Sequence, residues 1–152
     1  MRSDIPQITI RPIGLDDRVS WEPLWTAYLD FYGRRLAPEV TEFTWRRLTR
    51  TGEIEGLLAI DEQHRAVGLV QFFFHPSTST IGGNCYLQDL FVVPAARGGR
   101  IGAQLIAAVA AAAKAKGAAI LYWQTEEFNG TARRLYERVA KRSPFIRYQI
   151  EL

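Results

Sequence analysis

The chain is short of the residues that staple or metallate small proteins. It has one cysteine, Cys85, and two histidines, His64 and His75. A single cysteine excludes a disulfide framework within one chain, and so few His and Cys ligands leave a metal cage without its donors. No metal is expected. Lysine is scarce as well: Lys114, Lys116 and Lys141 are the only three, so arginine supplies almost all of the positive charge. Long apolar runs are missing. The longest, residues 105–113, is mostly alanine and falls well short of the roughly 18 apolar residues of a membrane span, so no membrane partner is expected. Met1-Arg2-Ser3-Asp4 runs into Gln7-Ile8-Thr9-Ile10 without a signal-peptide core, which points to the cytoplasm.

What is present fits one ordinary globular unit. A chain of 152 residues buries roughly 68–70% of its unfolded surface without covalent staples. No repeat, low-complexity tract or linker interrupts it, so residues 1–152 read as a single domain. The formal net charge of +3 is too small to argue for nucleic acid, and none is expected as a partner. Arginines cluster at Arg46-Arg47-Arg50, Arg97-Arg100 and Arg133-Arg134-Arg138. The middle cluster differs from the others because glycines surround it.

Periodicity gives the elements. Residues 7–11 alternate as a strand, ended by Pro12 and Gly14. Asp16 and Asp17 head a helix to about Tyr32, with Trp21, Leu24, Trp25, Tyr28 and Leu29 as its apolar positions. Pro38 opens a second helix with Val40, Phe43 and Leu48 on one side. Residues 54–60 and 66–74 read as paired strands around a turn at 61–65, and 85–93 as a strand too apolar for an exposed edge. After Pro94, Ile101, Leu105, Ile106 and Val109 recur at helical spacing among alanines, until Gly117. A strand at 118–123 follows, then a helix from Asn129 carrying Ala132, Leu135, Tyr136 and Val139. Residues 144–150 alternate as a last strand. This order predicts an α+β fold: a mixed, mostly antiparallel central sheet flanked by helices.

The segment Arg97-Gly98-Gly99-Arg100-Ile101-Gly102-Ala103 falls between a buried strand and a helix start. Backbone N–H groups lack helical partners there and the helix dipole is positive, so the turn favours an anion such as a phosphate. A tight loop without a ligand is the plainer reading of the same residues. No Gly-Lys-Ser/Thr follows, and glycines at 98, 99 and 102 do not fit the dinucleotide spacing.

Three stretches taken together narrow the choice. Tyr86-Leu87-Gln88-Asp89-Leu90-Phe91-Val92-Val93-Pro94, the Arg/Gly turn, and Asn129-Gly130-Thr131-Ala132-Arg133-Arg134-Leu135-Tyr136-Glu137 resemble, in that order, the motifs of the GNAT superfamily of N-acetyltransferases. The family pattern at the turn, Q/R-x-x-G-x-G/A, is met by Arg97 and Gly102, with Arg100 where the first glycine usually stands. If that position needs a positive φ, arginine costs about 1–2 kcal/mol there. His75-Pro76-Ser77-Thr78 and Tyr122-Trp123-Gln124-Thr125 are similar to one branch, which holds fungal histone or D-amino-acid acetyltransferases, with diamine and thialysine acetyltransferases nearby.

The resemblance implies acetyl transfer from acetyl-CoA to a primary amine, with no metal. It assigns Leu90, Phe91 and Val92 to the pantetheine arm through their backbone, which is compatible with their also being core. It assigns Arg97, Gly98, Gly99, Arg100, Ile101, Gly102 and Ala103 to the pyrophosphate. Asn129 matches a cofactor-binding asparagine and is equally a good helix N-cap. Tyr136 matches the family's general acid; a phenol of pKa ~10 can protonate a departing thiolate while staying neutral at pH 7.

The base is harder to place. A lysine-like amine is neutral in only about one molecule in two thousand at pH 7, so its proton must be taken. Diamine acetyltransferases carry a glutamate where this sequence has Gln88, which is left a substrate-binding role. Strand alternation turns Asp89 to the opposite face. Glu126 and then Glu127 are the substitutes, and a water wire to backbone carbonyls needs no carboxylate. Cys85 reads as a small buried hydrophobe and His75 as a loop or pocket-wall residue. By the resemblance the first helix lines the acceptor pocket, making Tyr28, Asp30 and Tyr32 acceptor-binding candidates. A small amine, an amino acid or a polyamine-like diamine, is the expected acceptor, because arginines at 46, 47 and 50 repel a basic histone tail. The competing readings are a protein lysine or N-terminal acetyltransferase and a non-catalytic acyl-CoA-binding module. A homodimer is expected.

Overall fold

The computed structural model describes residues 7–98 and 100–152. Its sheet has five strands in chain order: β1 (Thr9–Pro12), β2 (Glu55–Ile60), β3 (Ala66–His75), β4 (Asn84–Val92) and β5 (Ile120–Tyr122). The first four are antiparallel neighbours and β5 joins β4 in parallel, so the sheet is mixed, as the element order predicts. The β2–β3 turn is held by Asp61, whose Oδ1 accepts the N–H groups of Gln63 (3.0 Å) and Arg65 (2.8 Å). That is the turn chemistry an aspartate provides.

Helices cover both faces. α1 (Arg18–Phe31) follows a short 3₁₀ turn, where Asp17 accepts the Gly14 N–H at 2.6 Å and pairs with Arg11 at 2.7 Å. Its apolar row of Trp21, Leu24, Trp25, Tyr28 and Leu29 is buried, and Arg18 bonds both Glu22 and Glu42 to tie it to α2 (Pro38–Arg46). α2 differs from expectation. It buries Trp45, and Leu48 lies in the widened turn that follows, whereas Val40 and Phe43 are exposed. Phe43 instead carries the Arg47 guanidinium, 5.1 Å from its ring. On the opposite face α3 (Ile101–Ala115) buries Ile101, Leu105, Ile106, Val109 and Ala113. It can lie this close because Gly68 beneath it has no side chain: a Cβ there would sit 3.1 Å from Leu105 Cδ1 and 3.2 Å from Ile101 Cγ2. α4 (Gly130–Val139) follows β5.

One expected element is not part of the sheet. Residues 144–150 alternate like a strand but pair with none. Phe145, Ile146, Tyr148 and Ile150 are 88%, 74%, 86% and 87% exposed. Alternation marks a segment that suits a sheet face; pairing also needs a strand edge within reach, and the tail leaves α4 without meeting one.

Candidate active site

The site is built on β4, whose two edges are treated differently. Its β3 edge is paired from Asn84 to Val92, whereas its β5 edge is paired only from Asn84 to Tyr86. β5 stops at Tyr122, so from Leu87 to Val92 the strands part and one edge of β4 has no strand partner among the described residues. Free N–H and C=O groups in such an opening can pair with an extended, amide-bearing ligand. Leu90 and Val92 pack toward α3 and Phe91 toward α1, so their backbone, not their side chains, is what the opening offers. The two readings of this stretch, core strand and ligand edge, hold together.

The parting begins at a β-bulge. Leu87 lies opposite Phe72 and Asp89 opposite Gln71, leaving Gln88 without a partner and exposed. An extra residue resets the alternation. Asp89 therefore turns to the α1 face and not away from it, which corrects the expectation from simple period-two counting. There it is 6% exposed and accepts from Gln71 Nε2 at 2.8 Å; Gln71 Oε1 in turn accepts from Trp21 Nε1 at 2.8 Å. The Tyr28 hydroxyl is near enough to favour the charged form of the same carboxyl. Burial pushes the Asp89 carboxyl above its usual range against these hydrogen bonds, and burial with the Asp89 charge pushes the Tyr28 hydroxyl up.

Beyond the end of β4 lies the start of α3, where the sequence predicts an anion site. The first helical bond is from Gln104 N–H to Arg100 C=O, 3.0 Å. The N–H groups of Ile101, Gly102 and Ala103 thus have no helical acceptor, at the positive end of the dipole. Arg100 is left-handed, φ 66°, and Gly98 has φ 87°, so the positive φ suspected at Arg100 is real. Gly99 lies outside the described residues. Arg97 is pinned: its Nε donates to Val92 C=O at 3.0 Å and its guanidinium lies 5.1 Å from the Phe31 ring and 5.6 Å from the Phe91 ring. Gly102 has a use the sequence did not reveal. A Cβ there would come within 3.0 Å of Leu135 Cδ2, so the glycine lets α4 close on α3. A free strand edge running to unpaired helix N–H groups fits an amide arm ending in a pyrophosphate.

The polar groups converge on Tyr32, at the C-terminal cap of α1. Burial raises its hydroxyl pKa, Glu126 and Asp89 raise it further by their charge, and Arg97 opposes them. Tyr136 of α4, its ring 5.5 Å from that of Trp123, is pushed up to about 12 by burial and then by Tyr32. A neutral phenol at any physiological pH is what a proton donor requires. Tyr28, Tyr32, Asp89, Glu126 and Tyr136 are thus brought together.

Other candidates fall elsewhere. Asp30 is exposed on the outward face of α1, beside Glu22 and Thr26 in a shallow groove apart from this cluster. Two residues past Tyr28 is more than half a helical turn, which rotates it away. Asn129 caps α4, its Oδ1 accepting from Ala132 N–H at 3.4 Å. The arginine-bearing segment 46–50 continues α2 into a turn that packs on β2, two strands from the opening. His75 Nδ1 donates to Pro76 C=O (2.8 Å) and its Nε2 shares a hydrogen bond with Tyr122 Oη (2.7 Å), so both ring nitrogens are engaged away from the cluster. Cys85 is buried, and burial pushes its thiol up to about 11, too high for a nucleophile. Among the described residues no group of three His, Cys, Asp or Glu side chains could hold a metal, and no helix is long and apolar enough to cross a membrane.

Comparison with known proteins agrees with this geometry. Residues 21–140 match the model of the acetyltransferase (GNAT) family. A D-amino-acid N-acetyltransferase of Saccharomyces cerevisiae is 30% identical over 145 residues, 94% of this chain and 90% of that protein. An uncharacterized N-acetyltransferase of Bacillus subtilis is 32% identical over 132 residues, 86% of this chain and 87% of that one. The crystal structure of a probable acetyltransferase superposes with a TM-score of 0.86 at 26% identity, covering 95% of this chain and 97% of that one. The chain belongs to the GNAT acetyltransferase family and is an acetyl-transferring enzyme.

Proposed function

We propose that the protein transfers the acetyl group of acetyl-CoA to the primary amine of a free amino acid, by direct attack. The observation that carries this is the free β4 edge, which opens between the α3 N-terminus and the Tyr32–Asp89–Glu126–Tyr136 cluster. The backbone of 90–92 and the N–H groups of 101–103 hold the donor's amide arm and pyrophosphate. Asp89 and Glu126 draw the acceptor ammonium to the cleft, and Glu126, exposed at its mouth, takes the proton that frees the amine. As the C–S bond breaks, the Tyr136 hydroxyl gives its proton to the sulfur and regains one from the newly acylated nitrogen. Arg34, whose charge is felt at both Tyr28 and Asp89, is the cation assigned here to an acceptor carboxylate. The D-amino-acid acetyltransferase relative supports the same acceptor class. The enzyme is proposed to act in the cytoplasm.

The test is a panel of D- and L-amino acids, diamines and a histone peptide with acetyl-CoA, scored by thiol release as kcat/KM ratios. Amino acids should lead; a diamine or the peptide leading by tenfold overturns the acceptor assignment. Tyr136→Phe should lower kcat by about 10²–10⁴-fold, the usual worth of general acid catalysis, with acetyl-CoA affinity unchanged. An unchanged kcat where chemistry is rate-limiting removes Tyr136 from the acid role. Acetyl-CoA at a hundred times its Kd should add about 2.7 kcal/mol of stability, read as a rise in Tm; no rise at saturating donor refutes the cradle.

A further inference from the structure

The sheet face toward α1 is covered unevenly. On β3, Gln71, Phe73 and His75 alternate onto one side, and the bond from Gln71 to Trp21 shows that this is the α1 side. Leu58, Leu69 and Phe91 are packed beneath the helices there, whereas Phe73, Tyr86 and Tyr122 belong to neither buried cluster. These three stand side by side across β3, β4 and β5, Phe73 opposite Tyr86 and Tyr86 opposite Tyr122. Their ring centroids are 5.5 and 4.9 Å apart. His75 fixes the outer ring: it meets Tyr122 at right angles, 5.7 Å between centroids, and bonds its hydroxyl at 2.7 Å. Phe73 and Tyr86 are half-buried and Tyr122 is exposed. A row of rings left partly to water is where an apolar group of a ligand gains most by being buried.

The row adjoins the cluster around Asp89. Gln71 and Asp89 form the preceding pair on the same face, one pleat repeat or about 7 Å away along the strands. At its outer end Tyr122 lines a groove of about 570 Å³ that Tyr136 and Arg147 also line. The ammonium nitrogen and ring centre of an aromatic amino acid lie roughly 5 Å apart, so an acceptor with its ammonium at Asp89 lays its ring on the row. Ring faces also draw cations, and charge decides between the two occupants. Asp89 and Arg147 both act on Tyr86 by their charge. The acceptor ammonium offsets the first, and the second is left to repel a basic side chain.

We propose that Phe73, Tyr86 and Tyr122 form the side-chain subsite of the acceptor and select amino acids whose side chain is aromatic and uncharged. This rests on the free amino acid being the acceptor and adds which amino acid it is. Ring-on-ring contact separates an aromatic from an aliphatic side chain of similar size by about two- to tenfold. Alanine, with only a methyl group, forgoes the buried area as well.

The experiment compares kcat/KM for phenylalanine, leucine, alanine and lysine in both D and L forms, with a diamine and a histone peptide alongside. In the accepted hand, phenylalanine should exceed leucine by about two- to tenfold, and alanine and lysine by about tenfold or more. Any of the three equalling phenylalanine overturns the subsite and leaves the amino-acid reading in place. A diamine or peptide leading overturns that reading, and the subsite is then judged on the order among the amino acids; acetylation of no amino acid overturns both. Tyr86→Ala should lower the phenylalanine-to-alanine ratio by about fivefold, and Tyr86→Phe should keep it, because the ring and not the hydroxyl makes the contact. A ratio that Tyr86→Ala leaves unchanged overturns the assignment. Arg147→Glu, at an exposed position, should narrow the gap between phenylalanine and lysine by about fivefold; an unchanged gap overturns the exclusion of basic side chains. If Tyr86→Ala does not fold, the order of acceptors on the natural chain and the Arg147→Glu comparison still decide.

Discussion

On one face of the sheet α1 and α2 bury three tryptophans, Trp21, Trp25 and Trp45, around a file of hydrogen bonds from Trp21 through Gln71 to Asp89. On the other, α3 lays Ile101, Leu105, Ile106, Val109 and Ala113 over Gly68, in a cluster whose buried members among the described residues are all apolar. The aromatic face holds side chains that carry charge and protons. The aliphatic face sets a helix start and a strand edge close enough for backbone to meet a ligand. Asp89 and Tyr28 thus come from the aromatic face, the proposed donor cradle and Tyr136 from the aliphatic one, and β4 serves both. Its bulge at Gln88 is what permits this, since it turns Asp89 and Phe91 to one face and Leu87 and Leu90 to the other.

Cutting one large side chain from each face tests whether the faces are held differently. Trp21 and Leu105 are both fully buried. Truncation to alanine costs about 3–5 kcal/mol for a tryptophan and 2–5 for a leucine. Trp21→Ala also leaves Gln71 without its donor, a further loss of about 1–3 kcal/mol. In urea titrations Trp21→Ala should therefore be the less stable of the two by at least about 1 kcal/mol. Equal losses would mean the hydrogen-bonded file adds nothing to the aromatic face.

Asp89 sharpens the comparison with a pH signature that the aliphatic face cannot give. Its pKa is raised in the folded state, so between the unfolded value near 3.9 and the folded one the native state binds the extra proton. Stability from this group is present below the unfolded value and is lost as pH rises through the folded one. Asp17, Asp61 and Glu42, with lowered pKa values, act in the opposite sense, so the measurement is a difference. Stability of Asp89→Asn minus that of the natural chain should grow as pH rises from about 4 and then level off. A difference independent of pH would show that Asp89 keeps an ordinary pKa.

Local chemistry was legible in the sequence and tertiary registration was not. The Asp61 turn, the Asn129 cap, the buried row of α1 and the start of α3 just after the Arg/Gly turn follow from residue types at fixed spacings, and each is found. The side of β4 that Asp89 occupies depends on one unpaired residue opposite Gln71, which no period can reveal. The opening itself exists because β5 pairs over three residues, a length set by the neighbouring strand. The final strand expected at 144–150 does not form, because an alternating pattern does not supply an edge to pair with. Val40 and Phe43 misled because helical spacing places residues on a face without saying that the face is covered.

The smallest expected effect lies where the aliphatic face begins. Arg100 holds φ 66° as the N-cap of α3, a conformation that costs an L-residue about 1–2 kcal/mol. Its charge also sits at the positive end of the helix dipole, unfavourable by roughly 0.3–1 kcal/mol. Arg100→Gly relieves both, less about 0.5–1 kcal/mol for the added freedom of the unfolded chain. Arg100→Ala relieves only the charge. Arg100→Gly should therefore melt higher than Arg100→Ala, with each 1 kcal/mol worth about 2–4 °C in a chain of this size. A lower melting point for Arg100→Gly than for Arg100→Ala would show that the turn stores no strain, because only the glycine's entropic loss would then remain. Both variants should bind acetyl-CoA more weakly, since the cation that destabilises the helix start also attracts the pyrophosphate proposed to bind there. That opposing pair of shifts, in Tm and in Kd, gives the left-handed arginine a reason to stand where glycine would be more stable.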